Sequence, residues 1–135
     1  MASPLETIEV TTDTRTELRD VTAQVQAAVE RSGIREGVAY VYCPHTTAGI
    51  AINENSDPAV RRDFLMLVNR EIRRDDDFHH AEGNSDAHIK SILTGASEAI
   101  PVTEGRLALG TWQGVFFCEY DGPRRRRFQV RVIGA

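Results

Sequence analysis

The four histidines of the chain fall in polar segments, where imidazole can bind a metal ion or transfer a proton near neutral pH. His79, His80 and His88 lie within ten residues of one another, beside polar residues 82–86, and His45 opens a His-Thr-Thr sequence. Apolar runs contain none of the four. This distribution predicts one polar site that is assembled from distant parts of the chain.

A metal site built from His45, His80 and His88 is the first candidate. Imidazoles from three segments can close on one divalent ion and leave a position open for water or substrate, as in catalytic zinc sites. Imidazole-rich sites suit zinc, nickel or copper, and zinc is the metal predicted here; His79 is the alternative to His80. Nearby carboxylates that could complete or orient the site are Glu54, Asp57, Glu82 and Asp86. The competing interpretation is that these are surface or capping histidines that never meet, since no compact motif such as His-Glu-x-x-His is present.

A phosphate site is the second candidate, where Gly83, Asn84 and Ser85 lead into a predicted helix. A glycine-containing turn at a helix N-terminus offers free backbone N–H groups to a phosphate, and Lys90 lies about one turn further along. Arg124 begins a run of four arginines, which cannot form one patch in a strand because successive side chains point to opposite faces. The simpler interpretations are an ordinary helix N-cap for the turn and a charged strand edge for the arginines.

Polar residues outside the histidine segments are further candidates. Asp57 lies in Ser-Asp-Pro, which is a strong helix start, but with Glu54 it could also serve a site. Polar clusters stand at both ends of the predicted strand 47–53, which favours a site shared between subunits. Trp112 lies between glycines and is expected to pack in a turn, whereas the adjacent Gln113 has no packing role and suggests a site or interface.

Periodicity predicts the elements that must position these residues. Strands are expected at 5–11, 15–19, 37–43, 47–53, 99–102, 106–109, 114–120 and 128–133, and helices at 21–31, from Asp57 to about 72, and at 86–93. The buried stripe of the second helix is predicted to be Phe64, Leu65, Val68 and Ile72. Because strands and helices do not alternate strictly, the pattern favours an α+β fold with a mixed or antiparallel sheet, formed by one domain over residues 1–135.

Composition limits the classes of partner and location. The formal net charge of −4 argues against non-specific nucleic-acid binding by the whole surface, and we expect no nucleic-acid partner. No apolar run approaches the ~20 residues that span a bilayer, and the N-terminus lacks a secretory signal, so we expect no membrane partner and a cytoplasmic protein. Cys43 and Cys118 lie in apolar strand-like runs, where two buried thiols are favoured over a disulfide.

Six segments together resemble the YjbQ-like family, which was long described as uncharacterised and is also labelled secondary thiamine-phosphate synthase. These are HTTAGI at 45–50, NENSDP at 53–58, EGNSDAHIK at 82–90, IPV at 100–102, GRLALGTWQ at 105–113 and DGPR at 121–124. The resemblance covers nearly the whole chain in register. It implies a compact α+β domain that assembles as a homotrimer, with a polar, metal-binding pocket around the three histidines.

The family label implies weak thiamine-phosphate synthase activity, which joins an aminopyrimidine pyrophosphate to a thiazole phosphate and expels pyrophosphate. Such a reaction requires a pyrophosphate binder and a means of stabilising the departing charge. The catalytic candidates are then His45, Glu54, Asp57, His88 and Gln113, and the phosphate-binding candidates are Gly83, Asn84, Ser85, Lys90 and Arg124. The alternatives are a non-catalytic trimer that binds a metal or small ligand, and a metal-dependent hydrolase.

Overall fold

The computed structural model describes residues 1–135 and contains eight strands and three helices. The strands are β1 (Glu6–Thr11), β2 (Glu17–Asp20), β3 (Gly37–Tyr42), β4 (Ala48–Glu54), β5 (Ser97–Thr103), β6 (Arg106–Leu107), β7 (Gln113–Glu119) and β8 (Arg125–Gly134). The helices are α1 (Thr22–Ser32), α2 (Pro58–Glu71) and α3 (Ser85–Thr94). The predicted α+β class and the three helices are confirmed.

The strands form two antiparallel sheets, one of five strands in the order β1-β8-β3-β5-β6 and one of three in the order β2-β7-β4. Strand β8 is flanked by β1 and β3, so the interpretation of the arginine run as a strand edge is wrong. The alternation expected of an extended strand is present, because Arg126 is buried while Arg125 and Arg127 are exposed.

The main core fills the space between the two sheets and α1. Its members include Val25 and Val29 of α1, Val41 of β3 and Phe117 of β7. Helix α1 presents apolar residues three to four positions apart to this core, and Gly33 ends it in the left-handed conformation with a φ of 70°. The two helices that carry the candidate residues lie outside the core.

A smaller apolar cluster lies on the other face of the three-stranded sheet. There Phe116, Cys118 and Tyr120 pack against Ala87 of α3. Because successive residues of β7 point to opposite faces, the strand divides the molecule into layers. Helices α2 and α3 belong to one outer layer, and the outward face of the five-stranded sheet is the opposite surface.

Helix α2 begins as predicted but is not buried as predicted. Asp57 is its N-cap and Pro58 its first residue, yet no residue of the helix is buried. Phe64, expected in a buried stripe, lines a cleft of about 270 Å³ together with Ala51 and Phe116. The predicted stripe is therefore wrong for a single chain, since the helix does not close onto the sheet.

The two cysteines and Trp112 test smaller predictions. Cys43 and Cys118 are buried free thiols, as expected, and burial raises the pKa of Cys118 to about 12. Trp112 is exposed, so the prediction of a packed indole is wrong. No helix is both long and apolar enough to cross a membrane.

Candidate functional site

His45 lies just beyond the end of β3 and bonds to the neighbouring strand β8 through its side chain. The register pairs Tyr42 with Gln129, and Pro44 follows shortly after the strand ends. At this point His45 Nε2 accepts a hydrogen bond of 3.0 Å from the backbone N–H of Arg127. Since Nε2 accepts, the neutral ring carries its proton on Nδ1. Burial, reinforced by the charges of Arg126 and Arg127, lowers the pKa of His45 and favours this neutral form.

His80 and His88 form the one close pair of histidines. Their ring centroids are 5.1 Å apart with the planes at 84°. His88 lies in the first turn of α3 and His80 in the loop before it, where its Nε2 is 3.8 Å from the Glu82 carboxylate. The adjacent His79 and His80 are both exposed, and it is the His80 ring that packs against His88 of the helix.

The predicted three-histidine metal site is not assembled within one chain. No group of three or more His, Cys, Asp or Glu side chains is placed to hold an ion. His80 and His88 fit as two ligands of one ion. Small rotations of the two rings can place one nitrogen of each at the ~2 Å from a shared ion that zinc requires. His45 does not fit while its Nε2 accepts from Arg127. The three-ligand site stays a prediction that requires another subunit.

Lys90, predicted to bind phosphate, is buried in an ionic network. Its ammonium lies 3.2 Å from Asp86 and donates to Asn69 of α2 at 2.8 Å. The other Asp86 oxygen accepts from Arg15 at 3.2 Å. Lys90 follows Asp86 by four positions in α3, which places the two side chains on one face of the helix. The only lysine of the chain therefore ties α3 to α2 and is not free for a phosphate in one chain.

The predicted phosphate turn is present, but two of the predicted phosphate-binding side chains, Asn84 and Arg124, serve the fold. Gly83 has a φ of 74° and α3 begins at Ser85. Asn84 donates to the Asp121 carboxylate at 2.8 Å, and Arg124 donates to the same carboxylate at 3.1 Å. Ser85, which is partly exposed, and the first backbone N–H groups of α3 remain the groups suited to an anion.

Three further catalytic candidates stabilise turns. Glu54 accepts hydrogen bonds from the backbone N–H groups of Ser56 at 2.7 Å and Asp57 at 3.4 Å. Asp57 in turn accepts from Ala59 N–H at 2.9 Å. Gln113 accepts from Gly110 N–H at 2.8 Å. None of these side chains contacts His80 or His88, so one chain does not bring the predicted catalytic set together.

Capping makes a specific prediction for Asp57. Asp57→Ala removes the oxygen that accepts from Ala59 N–H, and we expect a loss of about 1 kcal/mol in the free energy of unfolding. Asp57→Asn keeps a capping oxygen and is expected to unfold close to wild type. Urea titration of both variants tests this. A loss of ligand binding in a fully stable Asp57→Asn protein would instead assign the carboxylate to the site.

The sequence patterns did not indicate the strongest buried polar cluster. Arg126 of β8 pairs with Glu119 of β7 and donates to the Thr47 hydroxyl at 2.8 Å. Glu119 also accepts from the Thr12 hydroxyl at 2.7 Å. The pair thereby holds the His-Thr-Thr turn against both sheets. The alternation of β8 could have marked Arg126 as inward-facing, but its partner could not be identified from the sequence.

The geometry leaves the His80–His88 pair and the N-terminus of α3 as the adjacent groups suited to a ligand. They are open to solvent beside Ser85, in a wide depression that Asp77 and Phe78 also line. Imidazole can donate, accept or ligate, and the helix N-terminus favours an anion. The arrangement suits a small anionic ligand or a metal-bound one.

Comparisons with known proteins agree along almost the whole chain. The family model described as "UPF0047 protein YjbQ-like" matches residues 6–135. The UPF0047 protein of Methanocaldococcus jannaschii is 50% identical over 93% of this chain and 91% of its own. The UPF0047 protein YugU of Bacillus subtilis is 47% identical over 96% and 99%.

Solved structures show the same fold. A YjbQ/UPF0047 family protein from Clostridium acetobutylicum, described as uncharacterised, superposes with a TM-score of 0.93 at 47% identity, covering 95% of this chain and 99% of its own. A protein of unknown function from Sulfolobus solfataricus superposes with a TM-score of 0.94 at 34% identity, covering 100% and 99%.

Proposed function

Because the chain belongs to the YjbQ-like UPF0047 family, we propose that it is a cytoplasmic homotrimer that binds a small phosphorylated ligand at a metal-assisted site. The proposed reaction is of thiamine-phosphate synthase type, in which pyrophosphate leaves an aminopyrimidine. This proposal joins the family label to an open polar cluster of the chain, the His80–His88 pair beside the N-terminus of α3.

An exposed apolar surface on the same helix carries the proposal. Ile92 and Leu93 of α3 are 79% and 72% exposed, and Met66 and Leu67 of α2 are also exposed. Large apolar side chains exposed side by side, as Ile92 and Leu93 are, indicate a contact surface. His88 and Ile92 are four residues apart and share one face of α3. A subunit that covers Ile92 therefore lies beside the histidine pair and can complete its site.

His80 and His88 would hold the proposed metal ion, most simply zinc, with further ligands from a neighbouring subunit or solvent. When bound, such an ion neutralises the charge of a departing pyrophosphate. The chain's own contribution is orientation. Ser85 and the first N–H groups of α3 bind phosphate oxygens, while the Asp86–Lys90 pair fixes the helix that carries them.

A non-catalytic trimer that binds a metal or small ligand is the second candidate function. The engagement of Glu54 and Asp57 in turns favours it, because their carboxylates already accept backbone hydrogen bonds, and the Gln113 side-chain oxygen is likewise bound to Gly110 N–H. His45 likewise has its Nε2 occupied by a backbone N–H.

Genetic rescue of a thiamine auxotroph tests the proposed function. Wild type is expected to rescue growth, and His88→Ala, at equal protein level, is expected to fail because it removes half of the histidine pair. The matched control is His79→Ala, which removes the imidazole next to His80 that lines the same depression but is not packed against His88. Elemental analysis of untagged protein should show metal in wild type and His79→Ala but not in His88→Ala.

Two results would contradict the proposal in different ways. Rescue by His88→Ala would exclude the histidine pair from catalysis. Metal binding without rescue by wild type would exclude the synthase reaction and support the non-catalytic trimer.

A further inference from the structure

The outward face of the five-stranded sheet has a composition unlike the rest of the chain. Side chains of β8 alternate, so that Arg125, Arg127 and Arg131 point away from the core while Arg126 and Phe128 point into it. On the neighbouring β3, Tyr40 and Tyr42 point outward by the same alternation.

The two tyrosines present open ring surfaces. Tyr40 is 46% and Tyr42 48% exposed. On β5 their direct neighbours are Ala99 and Ser97, whose small side chains do not cover the rings. On β8 the partner of Tyr40 is Arg131. The rings are two residues apart on one strand, which separates them by roughly 6.6 Å.

The arginines of this face are not neutralised within the chain. None of the ion pairs of the molecule includes Arg125, Arg127 or Arg131. Glu9, opposite Arg127 on β1, is the one acidic residue among the outward strand positions. The face is therefore locally basic although the chain has a net charge of −4.

We propose that this sheet face binds single-stranded nucleic acid. Exposed aromatic side chains on an antiparallel sheet stack against unpaired bases, and flanking arginines bind the phosphates. The spacing of Tyr40 and Tyr42 allows two successive bases to stack, one on each ring. This proposal departs from the sequence prediction of no nucleic-acid partner, because that prediction used the net charge of the whole chain, which does not describe one basic, aromatic face.

The location of the face is compatible with a trimer built through α2 and α3. The inner side of the five-stranded sheet packs on the main core, and α3 packs on the far side of the other sheet. The outward face is thus on the opposite surface from Ile92 and Leu93. A trimer of this kind presents three such faces, which strengthens binding to one long strand.

Fluorescence anisotropy with a labelled fifteen-nucleotide oligouridine at low salt tests the proposal. Wild type is expected to bind, with affinity falling as salt rises. Tyr40→Thr/Tyr42→Thr should bind at least about tenfold more weakly, because it removes two stacking rings. Tyr40→Phe/Tyr42→Phe keeps the rings and should bind like wild type.

Two triple arginine variants with the same change in charge test whether binding depends on this face or only on the total charge of the protein. Substituting Gln at Arg125, Arg127 and Arg131 should weaken binding. It should also make the slope of log binding constant against log salt concentration less steep by about two, because three phosphate contacts are lost. The control places Gln at Arg70, Arg73 and Arg74, three exposed arginines on and just after α2, and should bind like wild type. Circular dichroism and light scattering monitor folding and mass.

Three outcomes would overturn the proposal. The first is no binding by wild type at low salt. The second is equal weakening by the two arginine triples. The third is a change of oligomeric mass in the tyrosine or sheet-arginine variants, which would make the face a contact between copies of the chain.

Discussion

Arg126→Met is expected to lower the free energy of unfolding by about 3–5 kcal/mol, because it leaves the Glu119 carboxylate buried without its cation. Glu119 is 0% and Arg126 5% exposed. The substitution also removes the donor to the Thr47 hydroxyl that holds the turn after His45. Urea unfolding at neutral pH, followed by circular dichroism, measures the loss.

Arg127→Met provides the matched control one residue away. Its guanidinium is exposed and makes no ion pair, and the backbone N–H that binds His45 is retained. We expect its free energy of unfolding to change by less than about 0.5 kcal/mol. A Glu119→Met/Arg126→Met double variant should lose less than Arg126→Met alone, since no buried charge is left unpaired. Equal losses in the single and double variants would contradict the assignment.

Lowering the pH should reduce the difference in free energy of unfolding between wild type and Arg126→Met. Burial opposes ionisation of Glu119, but hydrogen bonds from Arg126, Thr12 and the Asp121 N–H outweigh it and hold the pKa below its ordinary value of 4.5. A carboxylate whose pKa is lower in the folded than in the unfolded protein stabilises the fold at pH values above its unfolded pKa. That contribution is lost as the pH falls through the pKa of the folded protein. In the variant, burial without the arginine raises the pKa, so its stability should recover as pH approaches 4.5. Urea titrations between pH 7 and 4.5 test this convergence.

The elements of the fold followed from local signals, whereas the partners of the site residues did not. Helix α1 has both its apolar spacing and Gly33 at its end, and Ser56-Asp57-Pro58 located the start of α2. These signals act within a few residues of the chain. The hydrogen bond from Arg127 N–H to His45 joins residues far apart in sequence, and only the sheet register brings them together.

Because local sequence signals do not identify distant partners, the predictions for α2 and for the candidate site contained errors. The apolar stripe of α2 predicted burial, which the single chain does not show, and periodicity cannot distinguish burial within a chain from burial between chains. Polar residues such as Glu54 and Asp57 were candidates because their types suit catalysis, yet those types also suit turns and caps. The His80–His88 pair was predictable, since a loop histidine and a first-turn histidine lie close in sequence.

Introducing negative charge on the exposed apolar face of α3 should dissociate the proposed trimer. Ile92→Glu/Leu93→Glu is expected to convert the proposed trimer, with a mass three times the 15.0 kDa of one chain, into monomers. Both side chains are exposed in the single chain, so the monomer loses little, whereas each interface would have to bury unpaired carboxylates. Light scattering coupled to size exclusion measures the mass.

A control with the same charge change locates the contact surface. Thr11→Glu/Ala99→Glu adds two carboxylates to the outward face of the five-stranded sheet, opposite the helices, and should leave the trimer intact. If the control dissociates and the α3 variant does not, the sheet face is the interface and α3 is free. If the α3 variant dissociates, its loss of metal binding in the same sample would further indicate that the His80–His88 site is completed by a neighbouring subunit. A monomeric wild type would refute the trimer outright and leave the apolar surface of α2 and α3 to another partner.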